Sequence, residues 1–160
     1  MTTGTVQRRP LLTLAMAVVV IDQVSKQLVA NLLSDGRTIR LIPGVLDLRL
    51  VHNTGAAFSL FRGSVAWLGL LSLVVSIGLG VWLIRRRSIP LWQGLAVAAL
   101  LGGTIGNGID RWLLGYVIDF LALVPIDFPI FNLADVAINL AVACFAVDVW
   151  VSGRSKQTGS

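Results

Sequence analysis

Long apolar runs alternate with shorter mixed stretches along this chain, and the run lengths predict helices. Four runs, at about 10–30, 65–84, 89–109 and 136–151, approach the roughly 20 residues that cross ~30 Å of hydrocarbon as a helix. The second and third carry no charge. Pro90 falls in the first turn of the third, where a missing N–H does no harm. The fourth is the shortest and has Asp148 near its end; local thinning or lengthening into the preceding residues accommodates it.

The pattern changes in the two longer connections, about 31–64 and 110–134. Leu46, Leu48 and Leu50 alternate with Asp47, Arg49 and Val51, the period of a half-buried strand. Pro43-Gly44 supplies a turn before it, and Thr38–Ile42 is its expected partner strand. Val117–Leu121 is too short and too β-rich for a further span, and Pro125 and Pro129 forbid a continuous helix after it. No long repeat is present, so residues 1–160 read as one domain, with Ser152–Ser160 a polar tail expected to fray.

Composition agrees with a membrane protein. Hydrophobic residues make up 56% of the chain and charged ones 13%, against about 25% charged in soluble domains. The net charge of +5 does not point to nucleic acid, because the basic residues form no stripe with interleaved aromatics. They sit mostly at the ends of apolar runs. Arg8 and Arg9, the triplet Arg85–Arg87, and Arg154 with Lys156 share one side if there are four spans, and the positive-inside rule makes that side the cytoplasm. Arg37, Arg40, Arg49, Arg62 and Arg111 fall on the other; the dense triplet in the tightest loop decides the orientation. Arg8-Arg9 followed by Leu11–Ile21 has the shape of a secretory signal, but Asp22–Lys26 stands where a small-residue cleavage site would be, so an uncleaved first helix is expected.

The single cysteine, Cys144, excludes an intramolecular disulfide and reads as a small buried hydrophobe. His52 is the only histidine, so neither a Cys/His metal site nor a Ser–His couple can be assembled, and it reads as a surface or interface residue. The polar groups that remain are mostly aspartates; all eight acidic residues are Asp. Asp22 and Lys26, at i and i+4, share a helical face and fit either a structural pair or the lining of a site. Asn53 follows the predicted strand and can bond an extended peptide; Gly55, Ala56 and Ala57 beside it permit close backbone approach. Gly102-x-x-x-Gly106 permits close helix packing, with Gly103 between them. Asn107, Asp110 and Arg111 share the next face, Arg111 being placed to pair with Asp110 or another carboxylate. Asp119 and Asp135 can meet if the proline-containing stretch between them loops back. Two carboxylates in one site push one pKa up, so that one is a base toward water and the other an acid toward a carbonyl. Spacing alone leaves this pair open beside an N-cap at Asp135 and a solvated loop aspartate at Asp119.

Five blocks together resemble the bacterial lipoprotein signal peptidases, or signal peptidase II, over about residues 10–152: Asp22-Gln-Val-Ser-Lys26, Asn53-Thr-Gly-Ala-Ala-Phe58, Gly102-Gly-x-x-Gly-Asn107-x-x-Asp110-Arg111, Val117-x-Asp119-Phe120 and Phe131-Asn132-x-Ala134-Asp135. The resemblance implies four transmembrane helices, a small extracytoplasmic β-sheet cradle and a short external helix in the bacterial inner membrane. It implies an aspartyl endopeptidase with no cofactor and no metal, cutting prolipoproteins just before a diacylglyceryl-modified cysteine. Asp119 and Asp135 then match the catalytic pair. Asp22, Lys26, Asn53, Gly103, Asn107, Asp110, Arg111, Asn132 and Ala134 match residues that line or support the site. Implied partners are the prolipoprotein, membrane lipids and cyclic-peptide inhibitors such as globomycin, acting on a monomer whose site faces the extracytoplasmic boundary. Without the resemblance, a small transporter or channel would rank first, since charges at membrane depth often mark ion paths; the uncharged centres of spans two and three argue against it. A non-catalytic assembly factor is the third reading.

Overall fold

The computed structural model describes residues 4–55 and 65–157. Its helices are α1 (Arg8–Leu32), α2 (Val65–Arg85), α3 (Leu91–Leu113) and α4 (Leu133–Gln157). Two small antiparallel sheets accompany them: β1 (Thr5–Gln7) with β4 (Ser88–Pro90), and β2 (Ile39–Ile42), β3 (Leu46–Asn53) and β5 (Val117–Leu123) in the order β2-β3-β5. The expected short external helix has no counterpart among the described residues. Ala56, Ala57, Phe58 and Arg62 lie outside them.

The helix α3 is central and packs on α1, α2 and α4. Its sequence explains how: Gly94, Ala96, Ala98, Gly102, Gly103, Gly106 and Gly108 are all buried. A Cβ on Gly102 would sit 2.7 Å from the Ala15 carbonyl oxygen, and one on Gly103 would sit 2.6 Å from that of Ala134. Those two glycines let the backbones of α1 and α4 come close. The other three helices are long and apolar enough to cross a membrane. At 23 residues α3 has the length, but small residues and asparagine replace the bulky apolar ones because its sides meet protein. Outward-facing Met16, Val20, Ile21, Val24 and Leu28 on α1, Leu71, Val74 and Ile77 on α2, and Leu140, Phe145 and Val149 on α4 stay exposed. Apolar surface on this scale requires a partner or a bilayer. The protein is a mainly helical membrane protein.

Two details depart from the sequence reading. Ser88–Pro90 is not the start of a helix. It pairs with Thr5–Gln7, Leu91 N–H donates to the Gly4 carbonyl at 2.9 Å, and Pro90 is the extended N-cap of α3. Nor do residues 152–157 fray: α4 runs on to Gln157, and the Arg154 guanidinium lies 4.3 Å from the Trp150 ring centroid, one turn back.

The three-stranded sheet places the loop residues. β3 is its middle strand, with Val51 opposite Asp119 and Asn53 opposite Val117. Leu46, Leu48 and Leu50 pack with Val29 of α1, with Leu33 that caps it, and with Ile118, Phe120 and Leu121 of β5. After β5 the chain turns through Pro125 and Pro129 and comes back: Leu121 N–H donates to Phe131 O at 2.8 Å, and Phe131 N–H to Leu121 O at 3.1 Å. That closure delivers the start of α4 to the side of β5.

Candidate active site

Asp119 lies on β5, buried between the sheet and the helices at 2% exposure, so it is not a solvated loop residue. Both its oxygens accept amide hydrogens: Oδ2 from Asn53 Nδ2 at 2.8 Å and Oδ1 from Asn132 Nδ2 at 2.6 Å. Asn53 is itself aimed, because its Oδ1 accepts from Gly55 N–H at 2.9 Å, which turns its NH₂ toward the carboxylate. Burial pushes the Asp119 carboxyl up from 3.8 to about 6. The two amides pull it down and the nearby Asp135 charge raises it further, but burial is the largest cause.

Asp135 enters by a different route. It is in the first turn of α4, but the N-cap is Asn132: Asn132 Oδ1 accepts from Asp135 N–H at 2.9 Å, and Asp135 Oδ2 accepts from Asn132 N–H at 3.2 Å. This reciprocal arrangement satisfies orphan donors of the helix start. The other oxygen, Oδ1, accepts from Asn107 Nδ2 at 2.8 Å. Asn132 therefore touches both aspartates, through its side chain to Asp119 and through its backbone to Asp135. Asp135 is only half-buried, so this side of the pair is open to water.

Beneath the pair lies a buried ionic cluster. The Lys26 ammonium, with Lys26 and Asp22 both 0% exposed, sits 2.8 Å from Asp22 Oδ2 and 3.0 Å from Asp110 Oδ2. Its third contact is Asn107 Oδ1 at 3.0 Å, an oxygen that also accepts from Asn132 Nδ2 at 3.0 Å. With its oxygen held by two donors, Asn107 must turn its NH₂ to Asp135. The carboxylates are held in turn by backbone: Asp22 Oδ1 accepts from Ala134 N–H at 2.9 Å, and Asp110 Oδ2 from Ile118 N–H at 3.1 Å. Asp22 thus anchors the start of α4, and Asp110 the start of β5. The glycines make room: a Cβ on Gly106 would meet Asp22 Oδ2 at 2.6 Å, and Gly103 lies against Ala134.

All eleven residues singled out in the sequence converge here, with one partner changed. Arg111 does not pair with Asp110, which is taken by Lys26. Successive helix residues point about 100° apart, and Arg111 instead turns toward α2, donating from Nη1 to Ser72 Oγ and to the Asn107 carbonyl, both at 3.4 Å. Its buried Nε has no hydrogen-bond partner among the described residues. Two participants were not anticipated. Gln23 Nε2 donates to Asp110 Oδ1 at 2.9 Å and to the Gly106 carbonyl at 3.1 Å, tying α1 to α3. Ser72 is one of two serines in an otherwise apolar run, and that was the available signal for it. Gln23 stood inside the Asp22–Lys26 motif block without being given a role. His52 is exposed, as expected, with its ring 4.3 Å from that of Tyr116.

Comparison with known proteins agrees with the motifs. Residues 14–151 match the family model described as signal peptidase (SPase) II. The chain is 65% identical over 158 residues to the lipoprotein signal peptidase of Parasynechococcus marenigrum (strain WH8102), covering 98% of this chain and 99% of that one. It is 56% identical over 135 residues to that of Synechococcus sp. (strain RCC307), covering 84% and 89%. A solved bacterial membrane enzyme, determined by the in meso method at 2.3 Å resolution, superposes with a TM-score of 0.84 at 30% identity, covering 92% of this chain and 91% of that one.

Proposed function

Since the chain belongs to the signal peptidase II family, a membrane peptidase that removes signal peptides from lipoproteins, we propose that it does so as an aspartyl endopeptidase with Asp119 and Asp135 as the catalytic pair. The substrate is a prolipoprotein carrying diacylglycerol on the cysteine after the scissile bond. The supporting observation is Asn132, one residue bonded to both carboxylates while two further amides, from Asn53 and Asn107, hold their outer oxygens. Four hydrogen bonds fix two acids side by side in surroundings that favour one shared proton.

The chemistry follows from that sharing. Asp119, raised by burial to about 6, carries the larger part of the proton. Asp135, half-exposed, acts as base and takes a proton from a bound water while its oxygen attacks the carbonyl carbon. Asp119 gives its proton to the carbonyl oxygen, forming a neutral gem-diol. Collapse breaks the C–N bond: the amine leaves with the proton held by Asp135, and one diol proton returns to Asp119. One water is consumed, and an acid and an amine are released. The Arg111 guanidinium lies near enough to both aspartates for its charge to interact with them. The cluster of Asp22, Lys26, Asp110 and Gln23 positions Asn107, α4 and β5. The substrate enters from lipid, so the site belongs at the extracytoplasmic boundary of the inner membrane, with the β2-β3-β5 sheet over it and both termini in the cytoplasm. One chain supplies every residue named, so a monomer suffices, and cyclic peptides of the globomycin type would occupy the same cleft.

The test is to incubate the detergent-purified protein with a diacylglyceryl-modified prolipoprotein and follow the mass of the product. Asp119→Asn and Asp135→Asn should each lower the rate by about 10²–10⁴. Wild-type turnover by either folded variant would refute the pair. A chelator should leave the rate unchanged; inhibition reversed by Zn²⁺ would refute a mechanism without metal.

A further inference from the structure

The far end of α3 from the aspartates, about 30 Å away at 1.5 Å per residue, gathers five arginines. Pairing of β1 with β4 brings Arg8 and Arg9 beside Arg85, Arg86 and Arg87. None of the five forms an ion pair with another described residue. Arg8 Nη1 donates to the Ile84 carbonyl at 2.7 Å, and the Arg86 guanidinium lies 4.7 Å from the Trp82 ring centroid. Beside them a notch of about 530 Å³ is lined by Gly78, Val81, Trp82, Arg85 and Arg86. Spacings of three, four and seven put Val81, Trp82 and Arg85 on the same face of α2 as Gly78, and Arg86 directly follows the helix end. Gly78 makes the depression, since a Cβ there would meet nothing within 4 Å. The result is an apolar floor, an aromatic wall and a rim of two arginines, with no acidic residue lining it.

We propose that this notch binds an anionic glycerophospholipid, with its phosphate on Arg85 and Arg86 and an acyl chain along Gly78, Val81 and Trp82. A guanidinium fork matches phosphate oxygens in pairs. Basic clusters at the end of a membrane helix attract anionic headgroups, whereas a zwitterionic headgroup brings a cation that the rim repels. The carbonyl end of α2 opposes an anion, but Arg8 already covers the Ile84 oxygen and offsets it. The inference requires only that the chain lies in a bilayer, so it stands or falls separately from the peptidase mechanism.

Native mass spectrometry of the full chain, released from detergent with phosphatidylglycerol or phosphatidylcholine, tests it. Phosphatidylglycerol adducts should dominate. Arg85→Gln with Arg86→Gln should cut that preference by on the order of fivefold per arginine, while Arg85→Lys with Arg86→Lys should retain most of it. Gly78→Leu, which fills the notch and leaves the charge, should weaken adducts of both lipids. Arg37→Gln with Arg40→Gln removes equal charge elsewhere and should change nothing. Equal adducts for the two lipids, preference that survives the glutamine pair, or equal loss in the Arg37/Arg40 control would each overturn the site. Prolipoprotein cleavage by the Arg85/Arg86 variants should persist, which shows that they are folded.

Discussion

Asp119 shows how one residue's surroundings set its chemistry. Two amides favour its charged form, yet burial outweighs them and the carboxyl rises to about 6. In the proposed mechanism the pair needs one proton, so kcat/KM should fall as pH rises through about 6 in the free enzyme. Asn53→Ala removes a bond that stabilises the carboxylate, so that descending limb should move to higher pH. A pH–rate profile in detergent reads this directly, and a limb displaced to lower pH would contradict the assignment. Stability carries the same sign. The folded state holds the Asp119 proton more tightly than the unfolded chain. Its contribution is therefore complete below 3.8 and is lost as pH rises through about 6, a loss on the order of 3 kcal/mol. Thermal unfolding of the wild type should weaken over that window, and Asp119→Asn should flatten the slope there. An unchanged slope would mean that other groups cause it.

At the scale of elements, α3 is the part that tolerates least change. Its Gly102 and Gly103 face backbone oxygens, which cannot rotate away as a flexible side chain can. Gly103→Ala would press its methyl against the Ala134 carbonyl, and overpacking of this kind costs about 1–3 kcal/mol. Melting in detergent should register that loss, together with lower activity because α4 carries Asp135. Gly78→Ala, where nothing lies within 4 Å, is the matched control and should be neutral or slightly stabilising. The buried ions make a second case. Lys26→Met keeps the stem and removes the charge that Asp22 and Asp110 share; breaking a buried pair in this way costs about 3–5 kcal/mol. Adding Asp22→Asn should recover part of the loss, which a double-mutant cycle measures. Strict additivity would show that the two do not act as one unit.

For the whole molecule, the proposed topology follows from the arginines at one end of the bundle. A reporter fused after Lys156 should report the cytoplasm, and one inserted in the Leu114–Gly115 turn the opposite side; both on one side would overturn the four-span arrangement. Much of the architecture was legible in the chain because lipid demands it: apolar runs of helix length, strands of period two in the connections, and ionisable residues kept for a purpose. The polar residues singled out from the five motif blocks come together in one cluster. What the sequence could not decide was which of these groups touch. Asp110 adjoins Arg111 in the chain but pairs with Lys26 in space, because the helical rotation between neighbours turns one toward α1 and the other toward α2. Asp135 had the look of a cap, but Asn132 caps, and this links the two aspartates. The β1–β4 pairing joins strands of three residues, too short for any period to reveal. The sequence by itself determined the membrane class, the apolar helices and which polar residues stand among them. Only the tertiary structure decided the partners, because the packing of α1 and α4 on α3 selects among contacts that spacing leaves equal.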